Sequence, residues 1–134
     1  MRPGTDGSLR LLPTDGEIYG STIVLEERYG NLGYWSSPDD RVVWVVEPAR
    51  PGRYNVWLEF ACDDSVANNR FFLQTGDQSN LESIPGTGGW DNYKRQQFGV
   101  IDLRLGRQRI TIRTEGPVAG ALMDLKSIEL VPVR

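Results

Sequence analysis

The 134-residue sequence contains no histidine. That absence removes the commonest general base at neutral pH, every serine or cysteine triad that runs through imidazole, and most zinc and copper sites. Cysteine is nearly absent too: Cys62 stands alone, so no intrachain disulfide can form and the redox compartment is left open. It follows an apolar run and has no partner base, which is the setting of a buried, inert thiol. Neither sign of charge dominates, with 15 basic against 18 acidic residues and a formal net charge of −3. Such a balance produces no field that would draw in nucleic acid or an anionic membrane. The one basic concentration, "GRQRITIR", alternates, so Arg109, Thr111 and Arg113 share a strand face that is expected to be solvated. No stretch approaches the length of a membrane span, and the first residues show no signal-peptide pattern. Also missing are a 3.6-residue apolar period and any phosphate loop: "GTGGW" has neither GxGxxG spacing nor a following Lys-Ser/Thr.

What is present is short, punctuated and alternating. In "RYNVWLEFAC", Tyr54, Val56, Leu58 and Phe60 alternate with Asn55, Trp57 and Glu59, the period of a sheet with one buried face. Pro51-Gly52 before it suits a tight turn. "RVVWVVEP" is a continuous β-branched run expected of a strand covered on both faces, with Trp44 in the core. "STIVLEER", "RFFLQT", "LESI", "QFGVIDL", "RQRITIR" and "SIELVPV" add further strands, whose inward residues include Ile110, Ile112, Ile128 and Leu130. Gly106 is expected to mark a hairpin-like turn between "VIDL" and "RQRITI". Eight to ten short strands with turns between them predict an all-β chain folded as an antiparallel β-sandwich or jelly roll. A chain of this length is one domain that buries roughly two-thirds of its unfolded surface. Residues 1–14 read as a flexible, turn-rich leader holding a short edge strand, "LRLLP", ended by Pro13; residues 15–134 form the sandwich. The initial Met is expected to be an added start before a domain cut from a longer protein.

Chemistry-bearing residues are few. Carboxylates occur as the adjacent pairs Glu26-Glu27, Asp39-Asp40 and Asp63-Asp64. Glycoside hydrolysis needs two carboxyl groups facing across a bond, whereas neighbours on a strand point to opposite faces, so catalysis is not expected. The aromatics say more. Trp57 is out of phase with the buried row of its strand and lies either on an exposed sheet face or under a loop. Tyr34 and Trp35 in "GNLGYWSS" and Trp90 in "TGGWDNY" sit in glycine-marked loops beside small polar residues. The axial C–H bonds of a pyranose stack on such rings, while Asp91, Asn92 and Tyr93 supply polar groups for hydroxyls. The competing reading is that Trp90 folds back and plugs one end of the sandwich.

The order "DGEIYG", "NLGYW", "DDRVVWVV", "PGRYNVWLEFA", "TGGWDNY", "LRLGRQRITI", "ALMDLKSIEL" resembles the carbohydrate-binding modules of families 6 and 35, which are galactose-binding-like jelly rolls. The resemblance runs from Asp15 to Val131. It implies a non-catalytic module that binds a poly- or oligosaccharide at the loop end of the sandwich, between Tyr34 or Trp35 and Trp90. The family asparagine two residues before the terminal aspartate is replaced by Leu122, leaving Asp91 or Asn92 as substitutes. The resemblance also implies a structural calcium on Asp15, Glu17 and Asp124, a monomer among other domains of a parent protein, and an extracellular or periplasmic setting. The alternative is a module of the same fold that serves protein contacts without binding sugar.

Overall fold

In a computed structural model of the chain, which describes residues 4–133, eleven strands form two antiparallel sheets. They are β1 (Leu9–Leu11), β2 (Glu17–Tyr19), β3 (Val24–Glu26), β4 (Asn31–Gly33), β5 (Arg41–Val46), β6 (Gly52–Ala61), β7 (Arg70–Thr75), β8 (Gln78–Ser83), β9 (Lys94–Leu103), β10 (Gln108–Thr114) and β11 (Asp124–Pro132). The larger sheet runs β3-β4-β11-β6-β9 with β1 also on β11, and the smaller runs β2-β5-β10-β7-β8.

The alternation in the sequence is the alternation in space. Tyr54, Val56, Leu58 and Phe60 of β6 face inward with Ile128 and Leu130 of β11, against Val42, Trp44, Ile110, Ile112 and Leu73 of the smaller sheet. Phe98 ties the layers together, edge-on to Phe60 at 5.4 Å and to Phe71 at 5.8 Å between ring centroids. Trp44 is fully buried and donates its indole N–H to the Leu12 carbonyl at 2.8 Å, so its one polar atom is satisfied. Trp57 points to the outer face, as its phase requires, and is covered by a side chain: the Arg95 guanidinium lies 4.1 Å from its ring centroid.

Two expectations are corrected. Gly106 does not close a hairpin. β9 pairs with β6 and β10 with β5 and β7, so the Gly106 turn carries the chain from one sheet to the other. Local turn chemistry is the same for both connections, and only strand pairing tells them apart. The short strand expected in "LRLLP" is β1, and because it pairs with β11 and buries Leu9 and Leu11 completely, the sandwich begins before residue 15. Each contributes about 2 kcal/mol of apolar burial. Residues 1–3 of the expected leader lie outside the described residues.

Two bulges break the alternation. Gly99, with φ +70°, lets β9 carry both Phe98 and Ile101 inward, three residues apart. In β11 the register shifts between Leu125 and Ser127. Leu125 and Ile128 are both buried, so the shift turns Asp124 and Lys126 to the outer face at the end where the site lies.

Candidate functional site

The site starts from a glycine. Gly33 sits in β4 between β3 and β11, and a methyl group built on it would collide with the Glu26 carboxyl and lie 3.1 Å from Asp124 Oδ1. The missing side chain thus leaves a hollow into which Glu26 and Asp124 lean from the two flanking strands. Asn31 is buried and donates from Nδ2 to Glu26 Oε1 at 2.9 Å, which fixes that carboxyl in place. Burial first, and Glu26 beside it second, push the Asp124 carboxyl up to about 7. Lys126, turned outward by the bulge, rests its ammonium 4.2 Å from the centre of the Tyr93 ring. Burial, followed by the Asp124, Glu26 and Glu59 charges, pushes the Tyr93 hydroxyl up to about 12.

The loop after β4 presents Tyr34. Its ring is 64% exposed and its backbone is left-handed, with φ +53°. A non-glycine residue in this region is strained by about 1 kcal/mol or more, and such strain collects at ligand sites. The loop is held by Asp40, a completely buried carboxylate. It accepts from the backbone N–H of Thr22 (3.1 Å), Ser36 (3.1 Å) and Ser37 (3.0 Å) and from the Thr22 hydroxyl (2.5 Å). Burial pulls its pKa up, but these donors outweigh burial and hold it below the ordinary carboxylate value. The Asp39-Asp40 pair is therefore loop architecture.

The next residue, Trp35, is turned the other way. It is completely buried, with its indole N–H on the Asp40 carbonyl at 3.2 Å, and cannot stack on a ligand. The expectation that it could form the clamp is corrected: the chain leaves β4 through the left-handed turn at Tyr34, which keeps that ring outside while Trp35 enters the core.

The loop carrying Trp90 is fastened to the end of β6. Thr87 donates its N–H to the Cys62 carbonyl (2.8 Å) and accepts the Cys62 N–H on its hydroxyl (3.0 Å), while Gly88 N–H bonds to Asp64 Oδ1 (3.1 Å). Trp90 is half-buried against the core, and its remaining surface lines a pocket. Asn92 does not line that pocket; its side-chain amide bonds to the Thr87 carbonyl inside the same loop, so it shapes the loop that holds Trp90. Cys62 is buried, and burial followed by Asp63, Asp124 and Asp64 pushes its thiol up to about 11, as an inert thiol requires.

The pocket has a volume of about 850 Å³ and brings Tyr34, Trp90, Asp91 and Asp124 together. Sequence reasoning missed Glu26, Tyr29 and Lys126, which line it as well. Tyr29, 60% exposed, stands before Gly30 in "RYG", the same aromatic-and-glycine signal that singled out Tyr34. Glu26 carried no signal beyond its neighbour Glu27, and Lys126 depends on a bulge that no residue type announces.

The three residues expected to hold calcium do not fit it. Asp15 and Glu17 are exposed at the smaller sheet, where Glu17 accepts the Tyr19 hydroxyl at 2.7 Å, while Asp124 begins β11 in the other sheet. Among the described residues no group of three or more His, Cys, Asp or Glu side chains gathers as a metal site. Calcium requires six or more oxygens converging on one point. Leu122, at the family asparagine position, is completely buried.

No protein-family model matches the chain, nor does any curated protein sequence. Solved structures do. A family 35 carbohydrate-binding module from Clostridium thermocellum superposes with a TM-score of 0.78 at 16% identity, over 94% of this chain and 98% of that one. The module CBM6cm-2 of Cellvibrio mixtus lichenase 5A, solved in complex with cellotriose, gives 0.73 at 18% identity, over 94% and 98%. The Podospora anserina GH26-CBM35 β-(1,4)-mannanase gives 0.72 at 17% identity; the match covers 96% of this chain but 28% of that enzyme. The chain has the β-sandwich fold of the family 6 and family 35 carbohydrate-binding modules.

Proposed function

We propose that the chain is a non-catalytic glycan-binding module whose site is the pocket between Tyr34, Tyr29 and Trp90. The observation that carries this reading is Tyr34: a largely exposed aromatic held in a strained backbone, by a loop wired to a buried carboxylate, at the mouth of a pocket. A stable protein has no folding reason to keep that arrangement. The fold it shares with stand-alone carbohydrate-binding modules supports the same reading.

Stacking one pyranose face on one ring removes roughly 80 Å² of apolar surface, worth about 2 kcal/mol. Two such stacks with a few hydrogen bonds, less the cost of association, place Kd in a range of roughly millimolar to micromolar. Catalysis is not part of the reading. Glu26 and Asp124 sit side by side over one glycine, on strands flanking β4, whereas glycosidase carboxyls stand on opposite sides of the scissile bond. Among the described residues no helix is long and apolar enough to cross a membrane. By the fold it shares with modules of a mannanase and a lichenase, we place the module outside the cell, on a larger polysaccharide-directed protein.

Affinity electrophoresis through a panel of neutral, acidic and amino polysaccharides tests the proposal. Retardation by at least one glycan is expected. Tyr34→Ala should abolish it while leaving Tm unchanged, and Trp90→Ala should abolish it while also lowering Tm. Absence of retardation across the panel would sink the reading.

A further inference from the structure

The pocket is lined by four carboxylates, Glu26, Asp63, Asp91 and Asp124, against one ammonium, Lys126. With every carboxyl ionised its formal charge is −3, equal to the formal net charge of the whole chain, so the remaining residues sum to no net formal charge. None of the four is ion-paired with a described residue. Asp63 is occupied by Ser65, whose N–H and hydroxyl reach it at 2.9 and 2.7 Å, and Glu26 accepts only an amide. Lys126 is committed to the face of Tyr93. Like charges held together in a partly desolvated hollow repel, which costs stability unless a ligand relieves it.

We propose that this site selects a cationic amino-sugar glycan, with a protonated amine seated between Glu26 and Asp124 while its ring lies against Tyr34 and Trp90. The inference rests on the glycan-binding reading and names the sugar class for it. An ammonium over the Gly33 hollow neutralises the carboxylate repulsion and donates hydrogen bonds to both groups. The aromatic rings around the pocket add to its attraction for a cation. A uronate would bring a fifth negative charge into the same space and meet one lysine already engaged. An N-acetylated sugar keeps the ring face but loses the charge, so it isolates the electrostatic part.

Calorimetric titration of the folded chain with a glucosamine tetramer, its fully N-acetylated counterpart and a galacturonate tetramer, in low-salt buffer close to neutral pH, where Asp124 has begun to ionise, tests this. The glucosamine tetramer should bind about tenfold tighter than the N-acetylated one or better, with the advantage shrinking at high salt. Glu26→Gln with Asp124→Asn should erase that preference while leaving weak N-acetyl binding. Asp91→Asn, at an exposed turn position, should reduce it severalfold with Tm unchanged. Equal Tyr34-dependent affinity for the amine and acetamide forms would overturn the inference and leave the glycan-binding reading intact. Tighter binding of the galacturonate, with or without added calcium, would overturn it as well. If no sugar binds in a Tyr34-dependent way, the glycan-binding reading fails first and the inference falls with it.

Discussion

Asp124 and Tyr34 are each unfavourable to the fold and informative about the site. An ordinary aspartate carboxyl titrates near 3.8, and in the folded chain Asp124 is pushed up to about 7. Between those values the native state holds a proton that the unfolded state has released. Stability must therefore fall as pH rises from about 4 to about 7, then level off. Asp124→Asn removes that slope. Urea unfolding of the variant in mildly alkaline buffer should show a gain of about 1 kcal/mol, after discounting for solvent screening of a partly buried group, and no gain in acid. An unchanged pH profile would remove Asp124 as its source. Asp40 works in the opposite sense: its pKa is lowered, so its contribution is present above the ordinary carboxylate range and lost as pH falls through it. Neither role could be read from residue type. Asp39, Asp40, Asp63 and Asp64 look alike in the sequence, and what separates them is how many N–H groups the fold aims at each.

The strands themselves were legible because period-2 alternation is a local property, and "RYNVWLEFAC", "RFFLQT" and "RQRITIR" lie within a residue or two of β6, β7 and β10. Edges and bulges were not legible. β8 and β9 are edge strands of different sheets, yet Gln78 treats the Asp102 backbone as a strand partner. Its Nε2 donates to the carbonyl at 2.6 Å and its Oε1 accepts the N–H at 2.8 Å, while Asn80 Nδ2 reaches the Val100 carbonyl at 2.8 Å. Side chains of one layer thus occupy the open hydrogen-bonding edge of the other, a protection against strand addition by a second molecule. The double variant Gln78→Ala/Asn80→Ala should lose about 2 kcal/mol in chemical denaturation and begin to self-associate in light scattering. Loss of stability without self-association would mean the contacts support the layers but do not guard the edge.

For the molecule as a whole, Cys62 reports on whether the two layers open together. It is fully buried, its thiol is pushed up to about 11, and it lies where β6 leaves the core beside the anchored Trp90 loop. Labelling by a thiol reagent should be at least about a thousandfold slower than for the unfolded chain and should track global unfolding across a urea series. Fast labelling in native buffer would show that the Trp90 loop detaches independently of the sandwich, in which case the pocket is not preformed.

From the sequence alone came the class of chemistry and the material of the site: no imidazole, no disulfide, alternating strands for a sandwich, and aromatics in glycine-marked loops. Those features are local or compositional, and they survive without knowing which strands meet. The pocket needed the third dimension. Trp35 and Tyr34 are neighbours, yet opposite sides of the chain send one ring to the core and the other to solvent. Glu26 and Asp124 lie far apart in sequence and converge only because β3 and β11 flank β4 at a glycine. A one-residue bulge then turns Asp124 and Lys126 outward. Strand order and register arise from the packing of both layers at once, and no short window of residues contains them.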